Sequence, residues 1–96
     1  MAKTAGRLLR INGRVQGVGF RAFVQEQAMR LDLKGWVRNR RDGSVEALIV
    51  GESAAIDALT AALRRGPPGA RIQGIDAVEA TPVELIGEDF DIRPTT

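Results

Sequence analysis

The chain has 96 residues, of which 44% are hydrophobic and 27% are charged, values that suit one globular domain with a single small core. It contains neither cysteine nor histidine, which excludes a disulfide framework, a thiolate or phosphohistidine nucleophile, and a histidine-rich metal site. Its net charge of +2 conceals two unlike halves, because residues 1–41 hold ten basic and two acidic side chains whereas residues 42–96 hold four and ten. The basic half favours an anionic ligand.

No segment resembles a membrane span or a targeting signal. An apolar run of about 20 residues is needed to cross a bilayer, and no run in this sequence approaches that length. The opening residues 1–6 lack the apolar stretch of a signal peptide. We therefore expect a cytoplasmic protein with a single domain over residues 1–96, in which residues 1–6 form a flexible tail.

The first third of the chain predicts a strand, a glycine-rich turn and a helix. The strand covers residues 7–13, and glycines punctuate the turn that follows it. We expect Gly17 to need a positive φ and Gly19 to accept a side chain more readily. A helix over residues 21–31 is predicted by apolar residues at the spacing of one helix face: Phe20, Phe23, Val24, Ala28 and Leu31.

Residues 36–50 predict a β-hairpin that turns near residues 42–43. A two-residue loop would oppose Asn39 and Glu46, whereas a three-residue loop with a left-handed glycine would oppose Arg38 and Glu46. The second register pairs opposite charges and gathers apolar side chains on one face: Val37, Val45, Ala47 and Ile49. We prefer that register, which places Asn39 on the same face.

The remaining residues predict one helix and two strands. Ser53 is expected to cap the helix, which residues 66–69 end with two prolines between two glycines. Its apolar stripe consists of Ile56, Leu59, Ala62 and Leu63. A strand over residues 72–80 follows, with a bulge expected at Gly74, and residues 90–93 form a short last strand.

This βαββαβ order predicts an α+β, ferredoxin-like sandwich with an antiparallel sheet of four or five strands and two helices on one face. In that fold the first two strands run parallel and end at one rim, so the glycine turn lies beside Asn39. Unpaired amides at a helix N-terminus bind anions, and Arg21 can add a forked pair of hydrogen bonds. Such a turn is also common as plain structure, so the pattern alone leaves both interpretations open.

The motifs themselves are more specific than the pattern. Residues 13–21 (GRVQGVGFR) and residues 35–46 (GWVRNRRDGSVE) closely resemble the two signatures of the acylphosphatase family. Residues 63–67 and 90–93 resemble the end of that family's second helix and its last strand. The resemblance covers nearly the whole chain. It implies hydrolysis of a carboxyl–phosphate mixed anhydride to a carboxylate and inorganic phosphate, without a metal or other cofactor.

The same resemblance assigns roles to individual residues. Arg21 would bind the phosphoryl group, and Asn39 would orient the attacking water. The phosphate cradle would be formed by the backbone amides of Gln16, Gly17, Val18, Gly19, Phe20 and Arg21. The Gln16 side chain is expected to brace the loop. The implied partners are a small-molecule acyl phosphate and inorganic phosphate, the latter as product and inhibitor. No nucleic acid or membrane partner and no metal are expected, and the protein should be a monomer.

Other residues have structural interpretations. Three aromatic residues are expected in the core: Trp36, Phe20 and Phe23. Three arginines are expected to form a solvated edge that attracts anions: Arg38, Arg40 and Arg41. Asp32 stands where a glycine commonly ends the first helix in the family, and it should adopt a left-handed conformation at a cost of about 1 kcal/mol.

Two alternative functions are compatible with the fold. An RRM-like RNA-binding domain shares the element order, and residues 17–24 echo an RNP1 string. However, RNP1 lies on the third strand, and residues 45–50 contain no aromatic residue. The second alternative is a non-catalytic acylphosphatase-like module that handles phosphate or carbamoyl phosphate in larger carbamoyl-transfer maturation proteins. Because those modules are fused to other domains, we expect the catalytic function here.

Overall fold

Strands and helices follow one another in the predicted order. The computed structural model describes residues 4–80 and 89–96. Within these residues the elements are β1 (Thr4–Arg14), α1 (Phe20–Arg30), β2 (Lys34–Asn39), β3 (Val45–Glu52), α2 (Ser53–Arg65), β4 (Arg71–Glu79) and β5 (Phe90–Ile92). Every predicted element is therefore present, with ends that differ by a few residues. Neither helix in this part of the chain is long and apolar enough to cross a membrane.

The described strands form one sheet in the order β4-β1-β3-β2-β5. The first four are antiparallel to their neighbours, but β5 runs parallel to β2, which corrects the expectation of a wholly antiparallel sheet. The bulge predicted at Gly74 is confirmed by a register shift between Asn12 and Gly13 of the paired strand. Because β1 and β2 both run antiparallel to β3, their C-terminal ends share one rim.

One face of the sheet carries the main hydrophobic core. The strands contribute alternate residues to it, as a period of two requires: Leu9, Ile11, Val37, Val45, Ala47 and Ile49. The helices contribute Phe20, Val24, Ala28, Ile56, Leu59 and Leu63. Burial of each large aliphatic side chain is worth about 1.5–3 kcal/mol. This core holds α1 and the loop before it against the sheet, in the predicted ferredoxin-like arrangement.

Trp36 lies on the opposite face of the sheet. There it forms a second cluster with Leu48 and Val50. Trp36 is therefore a buried core residue, as expected. It faces away from the helices because Val37 faces the main core and adjacent strand residues face opposite ways. Phe20 is in the core as expected, and the half-buried Phe23 packs against it.

The β2–β3 hairpin has the predicted three-residue loop. Arg38 pairs with Glu46 across the strands, as their opposite charges indicate. At the end of the ladder, the amide of Arg40 donates to the carbonyl of Ser44 at 2.8 Å. Residues 41–43 form the loop, whose glycine has a φ of +95°. The preferred register is therefore confirmed.

The first strand begins earlier than the sequence predicts. Thr4 pairs with Glu52 at the far end of β3, and Gly6 pairs with Val50. Residues 4–6 therefore belong to the sheet and not to a flexible tail. The first three residues of that expected tail lie outside the described part of the chain.

The helix ends show one correction and one confirmation. Ser53 is the first residue of α2, and the extended Glu52 holds the N-cap position without a side-chain hydrogen bond. The predicted Ser53 cap is therefore wrong. After α1, Asp32 adopts the expected left-handed conformation with a φ of +57°. The amide of Leu33 then donates to the carbonyl of Ala28 at 2.9 Å, which closes the helix end.

Candidate active site

The loop between β1 and α1 leaves a row of backbone amides open. Gly17 and Gly19 have φ values of +76° and +75°, and Gly19 is the N-cap residue of α1. The first backbone hydrogen bond of the helix runs from the Phe23 amide to the Gly19 carbonyl at 3.1 Å. In residues 4–80 and 89–96, no hydrogen bond uses the amides of residues 16–21, and no side chain caps α1. This arrangement binds tetrahedral oxyanions.

The two loop glycines are required by their backbone conformation. A Cβ placed on Gly17 or on Gly19 would meet nothing within 4 Å, so crowding does not exclude a side chain at either position. A positive φ does disfavour one, by about 1–2 kcal/mol for a residue with a Cβ. Because the two φ values are nearly equal, the structure gives no basis for the expected difference in their tolerance of substitution.

Arg21 lies in the first turn of α1 and is half-buried. Its Nη1 donates to the backbone carbonyl of Arg93 at 3.4 Å. No carboxylate in the described part of the chain forms an ion pair with it. A cation at a helix N-terminus opposes the helix dipole. An anion bound in the loop would offset both the dipole and the guanidinium charge.

Asn39 ends β2 and lies on the face that carries Val37, toward the helices. Its backbone carbonyl accepts a hydrogen bond from the Thr96 amide at 3.1 Å. Its half-buried side chain has no hydrogen-bond partner among the described residues. The backbone of Asn39 is therefore held while its carboxamide remains available to a ligand or to water.

A cavity of about 240 Å³ brings Arg21 and Asn39 together. Its lining consists of Val15, Gly17, Gly19, Phe20, Arg21, Ala22, Asn39 and Ile92. Sequence reasoning missed three of these residues. Val15 could have been found as the residue directly before the predicted cradle. Ala22 could have been found as a neighbour of Arg21 in the first helical turn. Ile92 could not, because it reaches the site through the parallel pairing of β5 with β2.

Two residues of the predicted cradle direct their side chains away from this cavity. Gln16 Nε2 donates to the carbonyls of Arg40 and Ser44 at 2.7 and 2.9 Å, which confirms that this side chain braces the loop. Val18 packs toward the α2–β4 loop, where a Cβ on Gly69 would lie 3.6 Å from Val18 Cγ1. Gln16 and Val18 can therefore contribute to the cradle through their backbone amides but not through their side chains.

Arg38 and Arg40 are ion-paired and do not form a solvated edge. Both bind the carboxylate of Glu46, which is 5% exposed, with N–O distances of 2.6 and 3.2 Å. Arg10 approaches the same carboxylate at 3.7 Å. The expectation is wrong for these two arginines, because the cross-strand pair that sets the register also buries Glu46. Arg41 alone of the three is exposed.

The turn of the hairpin is fixed by a second carboxylate. Asp42 Oδ1 accepts hydrogen bonds from the hydroxyl and the amide of Ser44 at 2.6 and 2.9 Å. These hydrogen bonds hold the pKa of the Asp42 carboxyl below its ordinary value. Asp42 is exposed and does not line the cavity.

The chemistry available in the cavity is binding and orientation. Among the described residues that line it, none carries a carboxylate or an amine side chain. Within residues 4–80 and 89–96, no three acidic side chains lie close enough together to hold a metal ion. The cavity can hold a tetrahedral anion with amides and a guanidinium and can place a neutral molecule against the Asn39 carboxamide.

Comparisons with known proteins agree with this geometry. The acylphosphatase family model matches residues 8–92. An acylphosphatase of Rhodopseudomonas palustris (strain BisB18) is 52% identical over 96 residues, covering 96% of this chain and 97% of that protein. The crystal structure of acylphosphatase from Bacillus subtilis matches with a TM-score of 0.87 and 37% identity, over 95% of this chain and 99% of that one. T. kodakarensis HypF matches with a TM-score of 0.80 and 33% identity, over 95% of this chain but 12% of HypF. The chain is therefore an enzyme of the acylphosphatase family, as its two motifs predict.

Proposed function

We propose that this enzyme hydrolyses acyl phosphates to a carboxylate and inorganic phosphate in the cavity between Arg21 and Asn39. The observation that carries the mechanism is the meeting of open amides, a guanidinium and a free carboxamide in one space of about 240 Å³. Family membership supports the substrate class. The division of roles among the residues follows from what each group can donate or accept.

The cradle and Arg21 bind the phosphoryl group. Amides of residues 16–21 donate to its non-bridging oxygens, and the free Nε and Nη2 of Arg21 add charge-assisted hydrogen bonds. Each such bond contributes about 1.5–3 kcal/mol. Because the loop is held by the core before substrate arrives, these donors need little reorganisation as charge shifts in the transition state. Inorganic phosphate presents the same oxygens, so the product competes with substrate.

Asn39 orients the nucleophile. Its Oδ1 accepts a hydrogen bond from a water molecule and directs a lone pair of that water at phosphorus. As the new O–P bond forms, the P–O bond to the acyl group breaks and its electron pair leaves on the carboxylate, while the water proton passes to solvent. A carboxylate leaves without a general acid, which suits a cavity without acidic side chains. A phosphomonoester, with its poor alkoxide leaving group, would need an acid or a metal.

Turnover of benzoyl phosphate in ¹⁸O-water tests the proposal. We expect multiple turnovers, label in the inorganic phosphate and none in the benzoate. A phosphomonoester such as p-nitrophenyl phosphate should turn over at least about 10³-fold more slowly, since nothing in the cavity protonates its leaving group. Label in the benzoate would show attack at carbon and contradict the proposed chemistry. Comparable rates on both substrates would contradict the proposed substrate class.

The non-catalytic alternative has less support, because this chain spans 97% and 99% of two acylphosphatases but only 12% of T. kodakarensis HypF. A phosphate-handling module would bind inorganic phosphate but show no turnover in the same assay. The RNA-binding alternative has less support. Residues 17–24 lie in the loop and α1, and the described β3 strand has no aromatic residue for base stacking.

We infer further that the enzyme is a cytoplasmic monomer that works without a metal or other cofactor. These expectations come from its composition and motifs and from the family resemblance. Light scattering of the purified protein checks the oligomeric state. Elemental analysis together with assays after chelation checks the metal requirement.

A further inference from the structure

The two halves of the cavity come from separate segments of the chain. The cradle amides belong to the β1–α1 loop and the start of α1, whereas Asn39 ends β2. In-line attack requires a fixed separation between the phosphorus held by the cradle and the water held by Asn39. A displacement of about 1 Å at such a site can cost about 10²-fold in rate. The distance between the two segments therefore affects the catalytic rate.

Gln16 joins the two segments. Starting from the loop, its Nε2 donates one hydrogen bond to the Arg40 carbonyl at 2.7 Å and another to the Ser44 carbonyl at 2.9 Å. Both partners are acceptors, so the amide nitrogen and not the oxygen of Gln16 must face them. In the described part of the chain, no other side-chain hydrogen bond links residues 15–19 to the hairpin.

The two carbonyls and the amide nitrogen of this bridge are fully hydrogen-bonded. The Arg40 carbonyl also accepts from the Gly43 amide at 3.1 Å, and the Ser44 carbonyl also accepts from the Arg40 amide at 2.8 Å. A carbonyl has two lone pairs and a carboxamide nitrogen has two hydrogens, so both hydrogens of Gln16 Nε2 and both lone pairs of each carbonyl are engaged. The bridge therefore attaches the β1–α1 loop to the two residues that flank the hairpin loop, Arg40 and Ser44. Arg40 directly follows Asn39.

We propose that Gln16 is a positioning residue that sets the spacing between the phosphate cradle and Asn39. Its side chain does not line the cavity, so it acts on the reaction through the hairpin. The inference rests on the proposed function, in which Asn39 orients water. Loss of the bridge should lower kcat and spare phosphate binding, because binding needs only the cradle and Arg21.

A double-mutant cycle of Gln16→Met and Asn39→Ala, assayed with benzoyl phosphate, tests this role. Gln16→Met should lower kcat about tenfold or more in the wild-type background and change the Ki of inorganic phosphate by less than about threefold. In the Asn39→Ala background it should change kcat by less than about twofold, because no oriented water remains to be misplaced. Gln25→Met is the matched control. It removes one side-chain hydrogen bond, from Gln25 Nε2 to the Phe90 carbonyl at 2.8 Å, and should leave kcat unchanged.

Gln16→Glu supplies a second, independent readout. An ionised carboxylate would repel the two carbonyls, whereas a protonated one can donate to one of them. This repulsion and the partial burial of position 16 raise the pKa of the introduced carboxyl above its ordinary value. The kcat of this variant should therefore rise as the pH falls from about 8 to about 5, a range in which the wild-type kcat should be flat. A flat profile for Gln16→Glu would overturn the role of the bridge, and this test holds even if Gln16→Met does not fold.

The outcomes distinguish a failure of the positioning role of Gln16 from a failure of the proposed function on which it rests. Equal losses of kcat from Gln16→Met in both backgrounds would overturn the positioning role, as would a parallel loss of phosphate affinity. An Asn39→Ala variant with wild-type kcat would instead overturn the water-orienting role, and the inference with it.

Discussion

Replacement of Arg21 by lysine keeps the positive charge and removes the forked donor geometry. In the structure one terminal nitrogen of Arg21 is directed to the Arg93 carbonyl at 3.4 Å, which leaves Nε and Nη2 for the phosphoryl oxygens. A lysine ammonium is a compact point charge on a flexible stem. It cannot contact two phosphoryl oxygens and the Arg93 carbonyl with the same geometry.

The expected loss follows from the hydrogen bonds that lysine cannot make. Each charge-assisted hydrogen bond is worth about 1.5–3 kcal/mol, so losing one or two of them should cost about 2–4 kcal/mol of transition-state stabilisation. At about 1.4 kcal/mol per factor of ten, kcat/KM for benzoyl phosphate should fall about 30- to 700-fold. Because Arg21 contacts the phosphoryl group in both the bound and the transition state, KM and kcat should share the loss.

Arg30→Lys is the matched control for this substitution. Arg30 lies on the same helix and is exposed, with an ion pair to Glu26 at 3.1 Å, and exposed pairs of this kind contribute little. Its kcat/KM should stay within about twofold of wild type. A value for Arg21→Lys within about threefold of wild type, with circular dichroism showing a folded protein, would remove Arg21 from the centre of the mechanism.

Three further predictions follow from the same site. Gly17→Ala and Gly19→Ala should weaken inhibition by inorganic phosphate to a similar extent, because both positions hold nearly the same positive φ; a clear difference between their Ki values would show that one amide matters more than the backbone indicates. The kcat should be flat between about pH 5 and 8 and unchanged by EDTA, since guanidinium and carboxamide side chains do not titrate in this range; a bell-shaped profile would reveal an acid–base pair, and inactivation by EDTA would reveal a metal. The pKa of Asp42 is lowered by its hydrogen bonds from Ser44, so its carboxylate stabilises the fold above the unfolded pKa of about 3.9, and this contribution disappears as the pH falls through the lower folded value. Urea denaturation should therefore show Asp42→Asn less stable than wild type at pH 7, with the difference shrinking at about pH 2–3; an equal difference at both pH values would contradict the assignment.

The parts of the site that the sequence predicts are those that local chemistry determines. A strand, a glycine turn and a helix start place the cradle and Arg21 within one continuous segment, so no knowledge of tertiary contacts is needed. Predicting the position of Asn39 also required the register of the β2–β3 hairpin. That register could be inferred because the opposite charges of Arg38 and Glu46 favour one of two alignments, and the structure has that alignment.

The parts that the sequence does not predict depend on faces, edges and contacts between segments. Trp36 could have been placed on the outer face, because the preferred register already turned Val37 inward. The parallel pairing of β5 with β2 could not have been predicted, since the three residues of β5 carry no signal for strand direction. The bridge from Gln16 to the hairpin is a contact across 24 and 28 positions of the chain, and neither spacing nor composition indicates it.

The central claim is that one set of groups binds phosphate and another activates water. The most direct measurement is the kcat of Asn39→Ala on benzoyl phosphate, taken together with the Ki of inorganic phosphate for the same preparation. We expect kcat to fall about 10²-fold or more, while Ki stays within about threefold of the wild-type value, because the cradle amides and Arg21 are intact. A Ki that weakens by the same factor as kcat would show that Asn39 maintains the loop, and a wild-type kcat would show that it does not orient the water; either result would contradict the account.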